Sequence, residues 1–299
     1  MMNERALPTW ELITDVALEL PPIEQAAEIV GLAARLVGLR SRINDLDALD
    51  DFAVMLMREI EQATAAGTFC YHYQPIVSAT SGALQGYEAL LRWSRDGEAV
   101  APALFLPIAE ETGAIRTIQQ RLLDQVATVS ARLPPPAFIS LNWSPRQLLK
   151  ASAASALIDR IKELSLDPRR MLIEITPRPA IVDPELVYLC ILLLKDTGIQ
   201  IALDDFGGHH GSLAWLGRLP IDFVKLDPAL IAEIDHSERA VRVLAGLIDF
   251  AHSLGASVVA KGIETQTQMR ILRRLGCDLL QGKAVGAPAR EPQFVAIDG

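Results

Sequence analysis

The sequence has no run of lysine and arginine interleaved with aromatic residues, and its formal net charge is −9. That balance argues against direct nucleic-acid binding. No apolar stretch approaches the ~20 residues that a membrane-crossing helix needs. The longest notable one, LVYLCILLL from Leu186 to Leu194, predicts a buried barrel helix instead. A basic segment followed by an apolar core is missing near Met1, so no secretory signal is expected and the expected location is cytoplasmic. Cysteine is scarce: Cys70, Cys190 and Cys277 are far apart, each in an apolar segment. They predict buried thiols in a reducing compartment rather than metal or redox chemistry. Internal repeats and low-complexity tracts are also missing.

What the chain does have is apolar mass. Half of its 299 residues are hydrophobic, enough for one barrel plus a small extension. Residues 1–49 read as an N-terminal helical extension and 50–299 as the barrel domain. Pro21-Pro22 breaks the extension. After it, Ile29, Leu32, Leu36, Leu39, Ile43 and Leu46 recur at spacings of three and four. Such a seam suits a dimerising helix or a helix packed on its own barrel, and both readings stand at this stage. Asp45, Asp47 and Asp50-Asp51 predict a turn before a helix from Phe52 to Ala66.

The remainder alternates short apolar runs with stretches able to hold helices. The predicted strands begin with Phe69 to Val77, and the second runs to Trp93. The next six end at or near Asn142, Glu174, Asp204, Lys225, Lys261 and Gln281. Helices are expected from Ile108 to Leu133, to about Leu164, from Pro184 to Thr197, and from Glu238 to Leu254. Glu88, Asn142, Glu174, Asp204, Asp205, Lys225, Lys261 and Gln281 thus follow strand-like runs. That is the pattern of a (β/α)8 barrel whose strand ends converge on one site. Oxygen donors clustered there suit a hard divalent cation. Lys261 puts positive charge where such a site wants negative charge.

These segments resemble the EAL domain, the family that hydrolyses or binds the bacterial messenger cyclic di-GMP. Glu88-Ala89-Leu90 spells its name. The likeness runs from about Asp50 to about Phe294 and includes YHYQPIV, EALLRW, AEETG, LNWS, IEIT, DDFG, VKLD, GIET and GCDLLQGK. It implies a modified TIM-like barrel whose first strand runs against the others. It implies Glu88, Asn142, Glu174 and Asp204 as ligands of one Mg²⁺ or Mn²⁺, and Asp205 as a holder of a second metal. By the same resemblance Lys225 positions water or phosphate and Arg92 approaches a phosphate. Gln74, Gln281 and Lys283 would line the nucleotide site.

The chain departs from the family at the catalytic centre. The motif AEGVET reads AKGIET, so Lys261 replaces a glutamate expected to bind the second metal or take a proton from the attacking water. A protonated lysine does neither at neutral pH. The second metal site is therefore expected to be lost. The stretch DDFGTGYSSL reads DDFGGHHGSL, where Gly208 and Gly211 are expected to loosen the loop and His209-His210 are a candidate metal pair or pH switch. Pro177 stands where the family has a loop-anchoring glutamate, and Lys283 where it has an aromatic. The expectation is a degenerate EAL-domain signalling protein without efficient phosphodiesterase activity. It would act as a cyclic di-GMP receptor or a protein-interaction regulator, as a homodimer with an unidentified protein partner. The alternative is an active metal-dependent phosphodiesterase producing linear pGpG.

Overall fold

A computed structural model of the chain describes residues 46–144, 147, 151–176, 184–208 and 216–292. The seam from Ile29 to Ile43, Pro177, His209-His210 and Gly211 lie outside the described residues. The described residues form two compact units. One takes the residues up to Thr68 together with Trp93–Ile115; the other takes Phe69–Arg92 and the chain from Arg116 onward.

In the first unit, helix α1 (Leu46–Ala66) is continuous. Asp47 and Asp50-Asp51 lie inside it, so the expected turn there is not formed. Trp93, Ser94 and Arg95, the last residues of strand β2 (Leu84–Arg95), pair antiparallel with β3 (Glu98–Val100). Helix α2 (Pro102–Thr112) follows. Trp93 meets Phe105 edge-on, with ring centroids 5.6 Å apart, and Arg95 pairs with Glu59 at 2.8 Å. The single helix expected from Ile108 to Leu133 is in fact two. Gly113, at φ 78°, ends α2 before α3 (Ala114–Ser130) begins. Glycine holds this left-handed cap without steric cost.

The second unit holds the barrel. Its strands are β1 (Phe69–Ser78), β2, β4 (Phe138–Trp143), β5 (Met171–Ile175), β6 (Gln200–Phe206), β7 (Phe223–Leu226), β8 (Ser257–Ala260) and β9 (Leu279–Gln281). They are bonded in the order β1-β9-β8-β7-β6-β5-β4-β2, and β1 pairing with β2 closes the ring. Every neighbouring pair from β2 round to β9 is parallel, while β1 meets β9 antiparallel. The intervals carry α4 (Ala151–Glu163), α5 (Pro184–Asp196), α6 (Pro228–Ala232), α7 (Glu238–Ser253) and α8 (Gln266–Arg274). A capping box of Thr265 and Gln268 starts α8.

Strand alternation builds the site. Ile76, Phe138, Leu172, Ala202, Phe223, Val259 and Leu279 pack together inside the barrel. Side chains two residues apart share a face. Two positions past Leu172, Ala202, Phe223, Val259 and Leu279 stand Glu174, Asp204, Lys225, Lys261 and Gln281. On β1, which runs the other way, Gln74 precedes Ile76 by two. The floor is thus apolar and the layer above it polar, at the carboxyl ends of the parallel strands. Outside the ring, Leu203, Val224, Val258 and Leu280 pack against Leu244, Ile248 and Met269 of the helices.

Gly86 faces Phe138 across the β2–β4 pairing. A Cβ there would lie 2.5 Å from the Phe138 carbonyl oxygen and 2.7 Å from its ring. Overpacking of this kind costs roughly 1–3 kcal/mol. Gly86→Ala should therefore lower the urea midpoint by a corresponding amount, and an unchanged midpoint would show that the strand pair can spread.

Helix α5 differs from its expected burial. Val187, Cys190, Ile191 and Leu194 are buried, but Tyr188, Leu189, Leu192 and Leu193 are exposed. A helix with apolar residues all round has a second apolar face that one barrel wall cannot cover. Cys190 and Cys277 are buried thiols as expected, whereas Cys70 is only half-buried. No helix among the described residues is long and apolar enough to cross a membrane.

Candidate functional site

Glu88 is the hub of the polar layer. Its Oε2 accepts from Lys225 Nζ at 2.8 Å and Gln281 Nε2 at 2.7 Å, and its Oε1 accepts from Asn142 Nδ2 at 2.8 Å. Lys225, wholly buried, also donates to Glu174 Oε1 at 2.5 Å. The other Glu174 oxygen, Oε2, is buried and accepts nothing among the described residues. Amides brace the hub. Gln281 Nε2 donates also to Gln74 Oε1 at 3.2 Å, and Gln74 Nε2 donates to the Gly286 carbonyl at 3.2 Å.

A second knot forms at β6 and β8. Lys261 Nζ donates to Asp204 Oδ1 at 2.5 Å and to Asp205 Oδ1 at 2.6 Å. Consecutive strand residues point to opposite faces, so these two carboxylates need a local break to reach one ammonium. The pairing of β6 with β7 shifts register between Leu203 and Phe206, and Asp205 has φ 52°. Such a bulge re-aims a side chain, and aspartate tolerates the left-handed conformation better than most residues.

The electrostatics follow from this geometry. Burial would raise the Glu88 carboxyl, but the Lys225 and Lys261 ammoniums outweigh it and hold the group down to about 2. Burial and the charge of Glu88 push Glu174 up to about 8, against the pull of Lys225. Burial would lower Lys225, yet Glu174, Glu88 and Asp204 keep it above the usual lysine value. Lys261 is raised likewise: burial is overcome by Asp204 and Asp205. Four carboxylates and two ammoniums leave the cluster at a formal −2.

The structure therefore brings Glu88, Asn142, Glu174, Asp204, Asp205, Lys225, Lys261, Gln74 and Gln281 together. Arg92 lies further along β2 and donates to the carbonyl of Leu91 at 3.0 Å. Lys283 does not join the cluster: it pairs with Glu264 at 3.1 Å, both side chains exposed. Two participants escaped the sequence reading. Gln119 donates to the Asn142 carbonyl at 2.7 Å, and Gln147 donates to Gln119 at 2.6 Å. Gln119 is a glutamine on a helix, with no local pattern to mark it. Asp227, the N-cap of α6, lies beside Gly208. A Cβ on Gly208 would lie 2.0 Å from Asp227 Oδ2. Close approach, rather than the expected looseness, is what glycine provides at that position.

Oxygen donors of this kind suit a hard cation. The first position fits one in part, since Glu174 Oε2 is a buried acceptor without a donor among the described residues. The second does not, since Lys261 lies against both aspartates. Among the described residues no three carboxylate, histidine or cysteine side chains are gathered to hold a metal.

Fold and cluster together define a TIM-like barrel with an acidic, lysine-bridged site at its strand ends. The family profile for the EAL domain matches residues 57–288, and the chain belongs to that family. It is 32% identical over 249 residues to the bifunctional diguanylate cyclase/cyclic di-GMP phosphodiesterase MucR of Pseudomonas aeruginosa, covering 81% of this chain and 36% of that one. It is 31% identical over 244 residues to the probable cyclic di-GMP phosphodiesterase PdeG of Escherichia coli, covering 80% and 48%. An uncharacterized signaling protein of Caulobacter vibrioides is 34% identical, covering 78% of this chain and 29% of the relative. The chain thus spans about a third to a half of these relatives' lengths. Among solved structures, the PaMucR phosphodiesterase in complex with c-di-GMP superposes with TM-score 0.72 at 32% identity, covering 79% of this chain and 97% of that one.

Proposed function

We propose that this chain binds cyclic di-GMP at its barrel mouth and does not hydrolyse it efficiently. One observation carries the reading: the Lys261 ammonium lies between Asp204 and Asp205, 2.5 and 2.6 Å from their oxygens. Hydrolysis needs a water oriented and deprotonated beside the phosphate, and two metals achieve this by clamping both. A lysine held by two carboxylates supplies charge there but is no base and no ligand. Lys261 replaces a glutamate of the family motif, which moves the cluster's charge by the same amount as one dication. Glu88, Asn142, Glu174 and Asp204 would hold one Mg²⁺ or Mn²⁺. That dication would bring the formal −2 cluster to neutrality and supply positive charge to a ligand phosphate.

The named relatives support the ligand: MucR is a bifunctional diguanylate cyclase/cyclic di-GMP phosphodiesterase, PdeG a probable cyclic di-GMP phosphodiesterase, and PaMucR was solved in complex with c-di-GMP. The exposed apolar row on α5, Tyr188, Leu189, Leu192 and Leu193, favours a protein-interaction role alongside, with a second copy or another protein.

Calorimetric titration of cyclic di-GMP with Mn²⁺ and with chelator, followed by chromatography of the ligand, tests this. The expected result is saturable binding in Mn²⁺, weaker binding in chelator, and intact ligand recovered from both. Accumulation of pGpG would overturn the reading in favour of an enzyme. Silence in both conditions would leave the interaction role.

A further inference from the structure

We propose that Arg290 and the neutral imidazole of His72 join Arg92, whose approach to a phosphate the family resemblance already implies, in a rim above the carboxylate cluster that takes a phosphodiester of the bound ligand. Strand direction places them. Because β1 runs against the other strands, its Phe69 end lies at their carboxyl ends. His72 is two residues beyond Gln74 on the same face of β1, about 7 Å further from the barrel floor. Arg92 is four residues beyond Glu88 on the same face of β2. After β9 the chain returns past β1: Tyr73 N–H donates to the Ala289 carbonyl at 2.7 Å, and Ala289 N–H donates to the Tyr73 carbonyl at 3.1 Å. This antiparallel bridge sets Arg290 opposite His72.

The electrostatics agree with that placement. Burial, Arg92 and Arg290, in that order, hold the His72 imidazole below its usual value. At neutral pH that leaves His72 an uncharged hydrogen-bond donor near two guanidinium groups, an arrangement suited to an anion. Glu88 is the carboxylate whose charge reaches Arg92. Glu291, next in sequence to Arg290, falls on the other side of the bridged segment and pairs with Arg132 at 3.4 Å. Among the described residues no carboxylate forms an ion pair with His72, Arg92 or Arg290.

A phosphodiester offers only acceptor oxygens, which guanidinium groups bind with paired, charge-assisted hydrogen bonds. A cyclic dinucleotide carries two such groups. One would face the metal and lysine cluster, leaving the other for the rim. The inference rests on the nucleotide-binding reading, but its chemistry is separable from it.

Arg290→Ala and Arg290→Glu are the first variants, since Arg290 is exposed and its removal leaves the core intact. Cyclic di-GMP is titrated by calorimetry in Mn²⁺, and inorganic pyrophosphate in chelator. Circular dichroism verifies the fold of each variant. The expected result is at least about tenfold weaker cyclic di-GMP binding for Arg290→Ala, a larger loss for Arg290→Glu, and pyrophosphate binding lost in both. Wild-type affinity for cyclic di-GMP in either folded variant would overturn the rim. If the wild type binds no cyclic di-GMP, the receptor reading fails and pyrophosphate decides. Pyrophosphate binding abolished by Arg290→Glu then sustains an anion site at the rim. Binding that is absent, or indifferent to Arg290, overturns it.

Discussion

Lys225→Met should destabilise the chain by about 3–5 kcal/mol, the cost of breaking a buried ion pair by removing one partner. Lys225 is wholly buried, and its ammonium is shared by Glu88 at 2.8 Å and Glu174 at 2.5 Å. Methionine fills much of the stem's volume, so the loss would be electrostatic rather than a cavity effect. It leaves two carboxylates side by side, with only Asn142 and Gln281 among the described residues donating to Glu88 and none of the described residues donating to Glu174 Oε2.

The penalty should depend on pH with a definite sign. Burial and the charge of Glu88 already push the Glu174 carboxyl up to about 8, against the opposing pull of Lys225. A carboxyl raised in the folded state favours folding below its unfolded value, near 4.3. That contribution is lost as pH rises through the folded value. Removing Lys225 takes away the pull that opposes the rise, so both proteins should lose stability alike up to about pH 8, and above it the wild type should level off while the variant goes on losing. Urea unfolding at several pH values measures both effects. Adding Glu174→Gln should recover part of the loss, because the amide removes one stranded charge. A loss below about 1 kcal/mol at pH 8, within the ordinary range for a point mutant, would mean that Lys225 is not the neutralising group.

Why the barrel was legible from sequence, and some of the site was not, comes down to the range of each signal. A strand announces itself in four to ten neighbouring residues, and a polar residue at its end is conspicuous after an apolar run. Glu174, Asp204, Lys225 and Gln281 could therefore be placed in one layer before any coordinates. The capping box at Thr265 is equally local, though the helix it starts was not singled out. The course of Lys261 was illegible because it depends on a bulge. Adjacent strand residues point to opposite faces, and it is the register shift beside Phe206 that turns both Asp204 and Asp205 toward one ammonium. Gly208 was misread because its partner, Asp227, is nineteen positions away and approaches only in the fold. Helix α5 was misread because a uniformly apolar segment does not say which of its faces the barrel covers. Gln119 and Gln147 joined the site through long-range bonds to a backbone carbonyl and to each other, which no periodicity encodes.

Lys261→Glu should do opposite things to metal binding and to metal-free stability. In the wild type one ammonium closes the gap between Asp204 and Asp205, so the fold should tolerate chelator. The variant puts three carboxylates there and takes the cluster from a formal −2 to −4. Without divalent cations its thermal midpoint should fall. With Mn²⁺ it should recover and rise further, since any ligand of the native state stabilises it by mass action. Two unit charges about 4 Å apart at an effective dielectric near 20 interact by about 4 kcal/mol. Exchanging a repulsive lysine for an attractive carboxylate should therefore raise the affinity of the second metal position by at least about a thousandfold. Calorimetry should count one Mn²⁺ in the wild type and two in the variant. Turnover need not follow, because Pro177 and the altered stretch after Gly207 also differ from the family pattern. Metal stoichiometry and chelator sensitivity therefore test the charge argument directly. Unchanged stoichiometry, with a midpoint indifferent to chelator, would mean that Lys261 does not occupy the second cation's place.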